Sequence, residues 1–235
     1  MKCMAIIVAG GSGKRFGTAL PKQFALLNGR PVLMHSIEAF ARCSEVTGIR
    51  VVLPVDYFDL WQSMCRRFGF SVEHQLVEGG HERFFSVMNA LAGLNDATLV
   101  AVHDGVRPLV SPDLIGRLCQ AALLHGAVVP VVPVNESLRR LDGNASVAVD
   151  RSRFVTVQTP QVFKASILLK AYQQPYSSVF TDDASVVEAM GYGVATVSGD
   201  PVNIKITTRA DLLFAQAVLA AEIDPGAFSP SDQPG

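Results

Sequence analysis

Cationic residues gather around a glycine-rich stretch near the start of this chain, directly behind an apolar run at residues 4–8. Because glycine has no side chain, successive glycines let backbone N–H groups turn toward an anion, and neighbouring cationic side chains add positive charge. A strand that leads into such a loop is typical of phosphate binding. The residues concerned are Gly10, Gly11, Gly13, Lys14, Arg15 and, after Pro21, Lys22.

Two common phosphate-binding motifs do not fit this loop. The Walker pattern requires Ser or Thr after Gly13-Lys14, where the chain has Arg15, and a glycine five residues before Gly13, where it has Val8. The dinucleotide pattern that would start at Gly11 requires Gly or Ala where the chain has Phe16. The loop alone therefore indicates either phosphate binding of another kind or an ordinary turn after a strand.

Three further segments carry polar residues that fit the same chemistry. Residues 78–83 read Glu-Gly-Gly-His-Glu-Arg and lead to Ser86, residues 102–108 read Val-His-Asp-Gly-Val-Arg-Pro, and residues 203–207 read Asn-Ile-Lys-Ile-Thr. With Gly-Ser-Gly-Lys-Arg-Phe-Gly and Pro-Lys-Gln of the first loop, they resemble the sugar-phosphate nucleotidyltransferases. Within that superfamily the chain is similar to the 2-C-methyl-D-erythritol 4-phosphate cytidylyltransferases of the non-mevalonate isoprenoid pathway, from about residue 4 to residue 222.

This resemblance implies an enzyme that transfers a cytidylyl group from CTP to 2-C-methyl-D-erythritol 4-phosphate and releases pyrophosphate. Attack of one phosphate on another brings two anions together, so cations must converge where charge accumulates in the transition state. We expect Arg15, Lys22 and Lys205 to be the catalytic cations, acting by positioning and electrostatic stabilisation. Taken alone, Lys22 also fits a solvated lysine beside a turn, and Lys205 fits a charged residue on an edge strand.

Asp104 follows an apolar run at residues 99–102, which predicts a carboxylate at the carboxyl end of a central strand. Burying such a group is unfavourable unless it meets a cation. Since Mg²⁺ prefers one or two carboxylates together with substrate phosphates, we predict that Asp104 binds Mg²⁺ or another divalent cation. A capping role in the next loop is the alternative. His103 should face the other side of the strand, as a satisfied buried histidine rather than a general base.

The resemblance also assigns the remaining site residues. In the family, backbone groups and a hydroxyl select the nucleobase, although the corresponding residues here equally fit a strand-to-helix turn. The second substrate carries a phosphate of its own, which guanidinium groups and hydroxyls bind well. Nucleotide binding is implied for Ala9, Gly10, Gly11, Gly13, Lys14, Gly79, Gly80, His81, Ser86 and Asp104, and substrate binding for Arg107, Ser137, Arg151 and Thr159.

Two other polar groups have ordinary structural interpretations. Arg139 and Arg140 are more typical of a solvated face than of a binding site. Residues 181–183, Thr-Asp-Asp, resemble a family segment near the polyol, but an N-cap for the helix that follows is at least as compatible with them. Neither group is assigned to the site.

The elements that must position these residues alternate between strands and helices. Strands are predicted at residues 5–8, 49–53, 71–77, 99–102, 127–132, 194–197 and 204–206, and helices at 31–42, 58–67, 84–94, 113–124, 167–172, 184–190 and 210–222. This alternation predicts an α/β fold, a Rossmann-like three-layer arrangement with a mostly parallel sheet. Ligands then gather at the carboxyl ends of the strands.

Residues 135–157 interrupt the alternation. A turn signal at residues 142–144 lies near strand-like runs at 147–149 and 154–157, which predicts a projecting β-arm. A lone two-stranded arm needs another surface to pack on. The resemblance implies that this arm crosses to a second subunit and makes a homodimer. We expect residues 1–223 to form a single domain, with this arm as its dimerisation element, and residues 224–235, rich in Pro, Ser and Gly, to be a disordered tail.

Composition limits the partners and the compartment. The chain has 235 residues, of which 49% are hydrophobic, and its formal net charge of −1 gives no basic arm for nucleic acid. No apolar run reaches about 18 residues, so a membrane span is not predicted. The scattered Cys3, Cys43, Cys65 and Cys119, together with the lack of a signal-type segment, favour reduced thiols and a cytoplasmic location.

Alternative functions stay open at this point. A relative that uses ribitol 5-phosphate would need the same arginines, because both substrates are small polyol phosphates. A non-catalytic nucleotide-binding module could use the same fold, although the complete set of cations favours an enzyme. A nucleotide-sugar glycosyltransferase ranks lowest, because the chain has no Asp-x-Asp pattern.

Overall fold

The computed structural model describes residues 2–11, 20–94 and 96–223. Three of the predicted site residues, Gly13, Lys14 and Arg15, lie outside the described residues, as does the predicted tail at 224–235. The elements, in chain order, are β1 (Cys3–Val8), β2 (Leu26–Leu27), β3 (Arg30–Pro31), α1 (Val32–Ala41), β4 (Val46–Leu53), α2 (Phe58–Arg67), β5 (Gln75–Glu78), α3 (Arg83–Leu91), β6 (Leu99–Asp104), α4 (Pro112–His125), β7 (Ala127–Pro133), β8 (Arg139–Asp142), β9 (Ala145–Ala148), β10 (Val155–Val157), β11 (Gln161–Lys164), α5 (Ala165–Ala171), α6 (Asp183–Glu188), β12 (Ala195–Ser198) and α7 (Arg209–Ile223).

A mostly parallel sheet of eight strands runs through the described part of the chain. Strands β5, β4, β1 and β6 are parallel neighbours, and β12 is parallel to β7. Strands β10 and β11 are antiparallel to β7, and β11 also joins β7 to β6. Val8 lies opposite both Val52 and Asp104, so β1, β4 and β6 end at the same edge of the sheet. The α/β prediction is confirmed.

Helices cover both faces of this sheet, because successive side chains of a strand point to opposite faces. Ile7 of β1 packs in a core with residues of α1, α2 and α4, whereas the neighbouring Ile6 packs in a second core with residues of α3, α5 and α6. Most strand residues in the two cores are fully buried. The three-layer arrangement follows from apolar residues on both faces of each central strand.

Local sequence accounts for the ends of the long helix α4. The hydroxyl oxygen of Ser111 accepts a hydrogen bond from the backbone N–H of Leu114 at 3.2 Å, and Pro112 occupies the first turn. The helix ends at Gly126, whose φ of 86° lies in the region that favours glycine. The predicted bounds of α2, residues 58–67, are those observed.

Two strand predictions need correction. The strand predicted at 71–77 begins only at Gln75, because the pairing with β4 starts at Arg50 and His74 instead bonds the nearby Val72 carbonyl. Residues 204–206 are not a strand. The backbone N–H of Ile206 donates to the Val106 carbonyl at 2.8 Å, and the Gln158 side-chain amide donates to the Asn203 carbonyl just before the segment. The segment is therefore irregular.

The predicted β-arm is shorter than expected. Strands β8 and β9 form a separate two-stranded sheet around Gly143, whose φ is 55°, and residue Leu141 beside the turn is 82% exposed. The run predicted at 154–157 contributes β10, which pairs with β7 in the main sheet rather than with the hairpin. The hairpin therefore spans residues 139–148, and its strands are largely exposed. None of the helices described is both long and apolar enough to cross a bilayer.

Candidate active site

A pocket of about 240 Å³ opens at the carboxyl edge of β1 and β6. Predicted residues from four separate segments line it: Ala9, Gly10, Gly11, Lys22, Gly80, His81, Ser86, Asp104 and Lys205. Gly79, Arg107, Ser137, Arg151 and Thr159 do not line it within this chain. The fold thus brings together the predicted nucleotide and catalytic residues that the structure describes, apart from Gly79, and leaves the predicted polyol-phosphate residues behind the pocket or away from it.

Asp104 is the anionic centre of the pocket and is 9% exposed. Its Oδ2 lies 3.0 Å from Lys205 Nζ and 3.3 Å from Arg107 Nε. Burial favours the uncharged acid, but the positive charges of Lys205 and two arginines outweigh it and hold the pKa of Asp104 well below its usual range. Asp104 is therefore an anion at any physiological pH. The capping alternative is not needed to explain its burial.

Arg83 is a cation of the pocket that the sequence reasoning missed. Its two terminal nitrogens donate to the two oxygens of Asp183 at 2.9 and 2.6 Å, and the Tyr172 hydroxyl donates to the same carboxylate at 2.6 Å. Burial alone would lower the pKa of this guanidinium, but Asp183 raises it above its usual value. The sequence did contain a signal for Arg83. This arginine ends the Gly-Gly-His-Glu-Arg segment, at the start of α3.

The first residue after β1 is held by a side chain that the sequence reasoning also missed. Gln23 is 1% exposed, and its amide donates to the Ala9 carbonyl at 2.7 Å. The backbone N–H of Ala9 donates to the Val52 carbonyl at 2.9 Å. A Cβ built on Gly10 or Gly11 would meet no atom of the described residues within 4 Å, so these two glycines leave room for a ligand in the described part of the pocket.

The turn between β5 and α3 is held by Ser86. Its hydroxyl oxygen accepts a hydrogen bond from the backbone N–H of Gly80 at 3.0 Å, and the hydroxyl donates to the Glu82 carbonyl at 3.1 Å. A Cβ on Gly80 would lie 2.4 Å from Phe85, so only glycine fits there. His81 stacks on Phe85 with ring centroids 4.2 Å apart. The serine therefore fixes the backbone that lines the pocket.

His103 and Thr159 lie behind the pocket. The prediction that His103 is a satisfied buried residue is confirmed: it is fully buried, with Nε2 3.1 Å from the Arg107 carbonyl and Nδ1 3.1 Å from the Thr159 hydroxyl. Burial lowers the pKa of His103 to about 4, so the ring is neutral at physiological pH. Thr159 Oγ1 also accepts a hydrogen bond from the Asp104 N–H at 3.0 Å.

Residues near the hairpin have local partners. Ser137 is exposed, and Arg151 donates from Nη1 to the Asn135 carbonyl. Arg139 and Arg140 are exposed as expected of a solvated face.

Asp182 caps α6, with its Oδ1 accepting from the Ser185 N–H at 2.9 Å, so the N-cap interpretation of residues 181–183 is confirmed.

The described side chains do not by themselves form a complete metal-binding site. The described residues contain no cluster of three or more His, Cys, Asp or Glu side chains that could hold a metal ion. Two carboxylates line the pocket, the buried Asp104 and the exposed Glu82, together with the cations Lys22, Arg83 and Lys205. This donor set fits a divalent cation that arrives with a polyphosphate, because Mg²⁺ commonly takes one or two carboxylates and substrate phosphates.

Comparison with known proteins decides the family. Residues 3–221 match the family model described as 2-C-methyl-D-erythritol 4-phosphate cytidylyltransferase (IspD). A protein of that name from Porphyromonas gingivalis is 51% identical over 221 residues, which cover 94% of this chain and 99% of that protein. The chain belongs to this family. A cytidylyltransferase of the same name from Bacteroides fragilis is 49% identical over 215 residues, with 92% and 98% coverage.

Solved cytidylyltransferase structures share the fold. The 2-C-methyl-D-erythritol 4-phosphate cytidylyltransferase of Thermus thermophilus aligns with a TM-score of 0.73 at 33% identity and covers 94% of this chain and 100% of its own. A 4-diphosphocytidyl-2C-methyl-D-erythritol synthase from Anaerococcus prevotii aligns with a TM-score of 0.79 at 27% identity, covering 93% and 96%. The cytidylyltransferase fold therefore extends over nearly the whole chain.

Proposed function

We propose that this chain transfers the cytidylyl group of CTP to 2-C-methyl-D-erythritol 4-phosphate, releasing pyrophosphate and forming the CDP-linked polyol. One observation carries the proposal: Lys22, Lys205 and Asp104, from distant segments, line a single pocket at the carboxyl edge of the sheet. Relatives that are 51% and 49% identical over nearly their full length bear the name of this activity. An activity is favoured over a silent binding module, since Lys22 and Lys205, two of the three cations that we assign to the transition state, line the pocket.

The chemistry is a displacement at phosphorus. An oxygen of the polyol phosphate forms a bond to the α-phosphorus of CTP, and the bond from that phosphorus to the oxygen bridging to the β-phosphate breaks, so pyrophosphate leaves. Both reactants are anions, and negative charge grows on the oxygens around phosphorus. Lys22 and Lys205 offset this charge, and Arg15 is the third cation that we assign to the triphosphate. No side chain acts as a nucleophile.

Asp104 has two proposed tasks. Its ion pair with Lys205 at 3.0 Å holds the ammonium group in the pocket when no substrate is bound. We further propose that the carboxylate binds Mg²⁺ together with CTP. When bound, the cation would neutralise part of the triphosphate charge and orient it.

The same turn that Ser86 fixes is our candidate for nucleobase selection. The Gly80 N–H already bonds the Ser86 hydroxyl, so the backbone carbonyls and amides of residues 79–81 have a fixed direction when the base arrives. A backbone that cannot shift can discriminate one base edge from another, because a wrong partner leaves polar groups unpaired. This assignment predicts that CTP is preferred over other nucleoside triphosphates.

We propose that the active form is a homodimer in the cytoplasm, and that Ser137 and Arg151 serve the pocket of the partner subunit. In one chain both residues lie on the exposed stretch that flanks the hairpin, and neither lines the pocket. The hairpin exposes Leu141 and Val147 at 82% and 48%, a surface that a partner would cover. The four free thiols fit a reducing compartment. No nucleic acid or membrane is part of the proposal.

Mixed dimers test the shared site. One chain carries Lys22→Ala and the other Arg151→Ala, and each variant is also assayed as its own homodimer. If each pocket combines Lys22 of one chain with Arg151 of the other, half the pockets of a mixed dimer are intact, and activity returns to about half of the wild-type value per mixed dimer. No recovery would contradict the crossover and place the whole site in one subunit.

The cationic mechanism is tested with lysine variants. Lys22→Ala and Lys205→Ala are each compared with Lys170→Ala, a lysine on α5 that does not line the pocket. We expect each pocket variant to lower kcat by roughly 100-fold or more, while the melting temperature stays near that of wild type. Normal turnover in both pocket variants would refute the mechanism.

A further inference from the structure

A closed circuit of hydrogen bonds lies directly behind the pocket and joins three chain segments. His103 Nε2 bonds the Arg107 carbonyl at 3.1 Å, and Arg107 Nη1 donates to the Asn203 carbonyl at 2.9 Å. The Asn203 side-chain amide donates to the Thr159 carbonyl at 2.9 Å. The Thr159 hydroxyl, 3.1 Å from His103 Nδ1, closes the circuit.

The direction of each bond in this circuit is determined by its partners. A carbonyl only accepts, so the Nε2 of His103 carries the hydrogen, and the Nδ1 of the neutral ring is an acceptor. The Thr159 hydroxyl must then donate to Nδ1, which leaves its oxygen to accept the Asp104 N–H at 3.0 Å. With its hydrogen already used, this hydroxyl has none left to donate to a substrate phosphate.

The circuit is dry. His103 and Asn203 are fully buried, and Thr159 is 6% exposed. The His103 ring also packs against Phe40, with centroids 4.9 Å apart, so it cannot rotate without disturbing the core. Buried hydrogen bonds of this kind hold their groups in one geometry, because breaking one leaves an unsatisfied polar group away from water.

Two of the three segments in the circuit carry a charged residue that lines the pocket, Asp104 in one and Lys205 in the other. The His103 segment carries Asp104 and Arg107, and Asn203 stands two residues before Lys205. The ion pair of Asp104 with Lys205 at 3.0 Å therefore spans two segments that the circuit ties together, and the pair of Asp104 with Arg107 at 3.3 Å lies within one of them. His103 itself does not line the pocket.

We propose that His103 is a positioning residue for nucleotidyl transfer, and that it acts through Thr159 and the Arg107 carbonyl to set the relative positions of Asp104, Arg107 and Lys205. The inference rests on the proposed function of the pocket. It gives the Thr159 hydroxyl a role within the protein that the resemblance did not imply. A displacement of about 1 Å among such groups is enough to lower a rate about 100-fold.

The test compares variants that remove a bond with variants that keep it. His103→Phe retains a ring against Phe40 but neither nitrogen. Thr159→Val retains the shape of threonine without the hydroxyl, and Thr159→Ser retains the hydroxyl. Arg50→Met is the control for a lost, partly buried hydrogen bond away from the pocket, because Arg50 Nη1 donates to the Ala90 carbonyl at 2.6 Å. The full-length chain is assayed for kcat, for calorimetric CTP affinity with Mg²⁺ and for melting temperature.

We expect His103→Phe and Thr159→Val each to lower kcat by at least about tenfold and to weaken CTP binding by about fivefold. Thr159→Ser should stay within about twofold of wild type, and Arg50→Met should lose stability without losing rate. The double variant His103→Phe/Thr159→Val should be no slower than the slower single variant, since both changes break the same circuit. If the two residues acted independently, the fold-losses in kcat of the two single variants would multiply in the double variant.

The outcomes separate this inference from the proposed function. If the wild type turns over and folded Thr159→Val keeps its rate and its CTP affinity, the positioning role is wrong while the proposed function stands. If the wild type binds CTP without turnover, the proposed function is wrong, and the CTP affinities of the variants still decide the role of His103. If the wild type binds no CTP, both are refuted.

Discussion

The ion pair between Arg83 and Asp183 gives the strongest stability prediction. Asp183 is fully buried and accepts hydrogen bonds from two guanidinium nitrogens and from the Tyr172 hydroxyl. Asp183→Asn preserves the shape of the side chain but removes its charge and turns one acceptor into a donor that faces another donor. The guanidinium is then left without its counter-charge.

The size of the effect follows from burial. Breaking a buried ion pair by removing one partner destabilises a protein by about 3–5 kcal/mol. The Arg83 side chain is 31% exposed at the pocket, so water offsets part of this loss, and we expect about 2–3 kcal/mol. For a protein of this size that lowers the melting temperature by roughly 5–10 °C.

Urea denaturation of wild type, Asp183→Asn, Arg83→Met and the double variant measures the coupling. The matched control is Asp113→Asn, because Asp113 pairs with Arg117 at 2.9 Å on the surface with its side chain 79% exposed. The control should change stability by less than about 0.5 kcal/mol. The free energy of unfolding lost in the double variant is compared with the sum of the losses in the two single variants. If the two values agree within about 0.5 kcal/mol, Arg83 and Asp183 are not coupled and this reasoning is wrong.

Three further predictions concern the nucleotide, the core and the metal. Ser86→Ala removes the acceptor of the Gly80 N–H and should raise KM for CTP about tenfold in steady-state kinetics, and an unchanged KM would contradict its role. Trp61→Phe keeps a buried ring but removes the donor to His74 at 2.8 Å, so thermal melts should show a loss of about 1 kcal/mol, whereas equal melts would show that the bond contributes nothing. Chelation of divalent cations should abolish turnover, with recovery on adding Mg²⁺, and full activity in the chelator would remove the metal from the account.

Much of the fold was accessible from local sequence. The strand and helix alternation, the bounds of α2 and the Ser111 and Asp182 caps depend on residue spacing and on side chains that act within one turn. Asp104 was predicted from its position at the end of an apolar run, whereas Lys22 and Lys205 were singled out by the resemblance to the cytidylyltransferase family, and their catalytic roles stay predictions. Asp104 reaches the pocket at the carboxyl end of β6, whereas Lys22 and Lys205 reach it on segments that are not strands.

The contacts that depend on tertiary pairing were not accessible. Arg83 and Asp183 are 100 positions apart, and nothing in the spacing of either residue indicates the other. The segment at 204–206 has the alternation of a strand, yet two of its backbone N–H groups donate to the carbonyls of Val202 and Val106 and it pairs with no strand among the described residues. The run at 154–157 likewise pairs with β7 because the chain returns to the sheet after the hairpin.

Substrate-dependent pyrophosphate release is the most direct test of the central claim. Purified chain is supplied with Mg²⁺, one of CTP, ATP, GTP or UTP, and either 2-C-methyl-D-erythritol 4-phosphate or ribitol 5-phosphate, and kcat/KM is measured for each pair. Our account predicts that CTP with the methylerythritol substrate exceeds every other combination by at least about 100-fold. A preference for ribitol 5-phosphate, or no release with any pair, would contradict it.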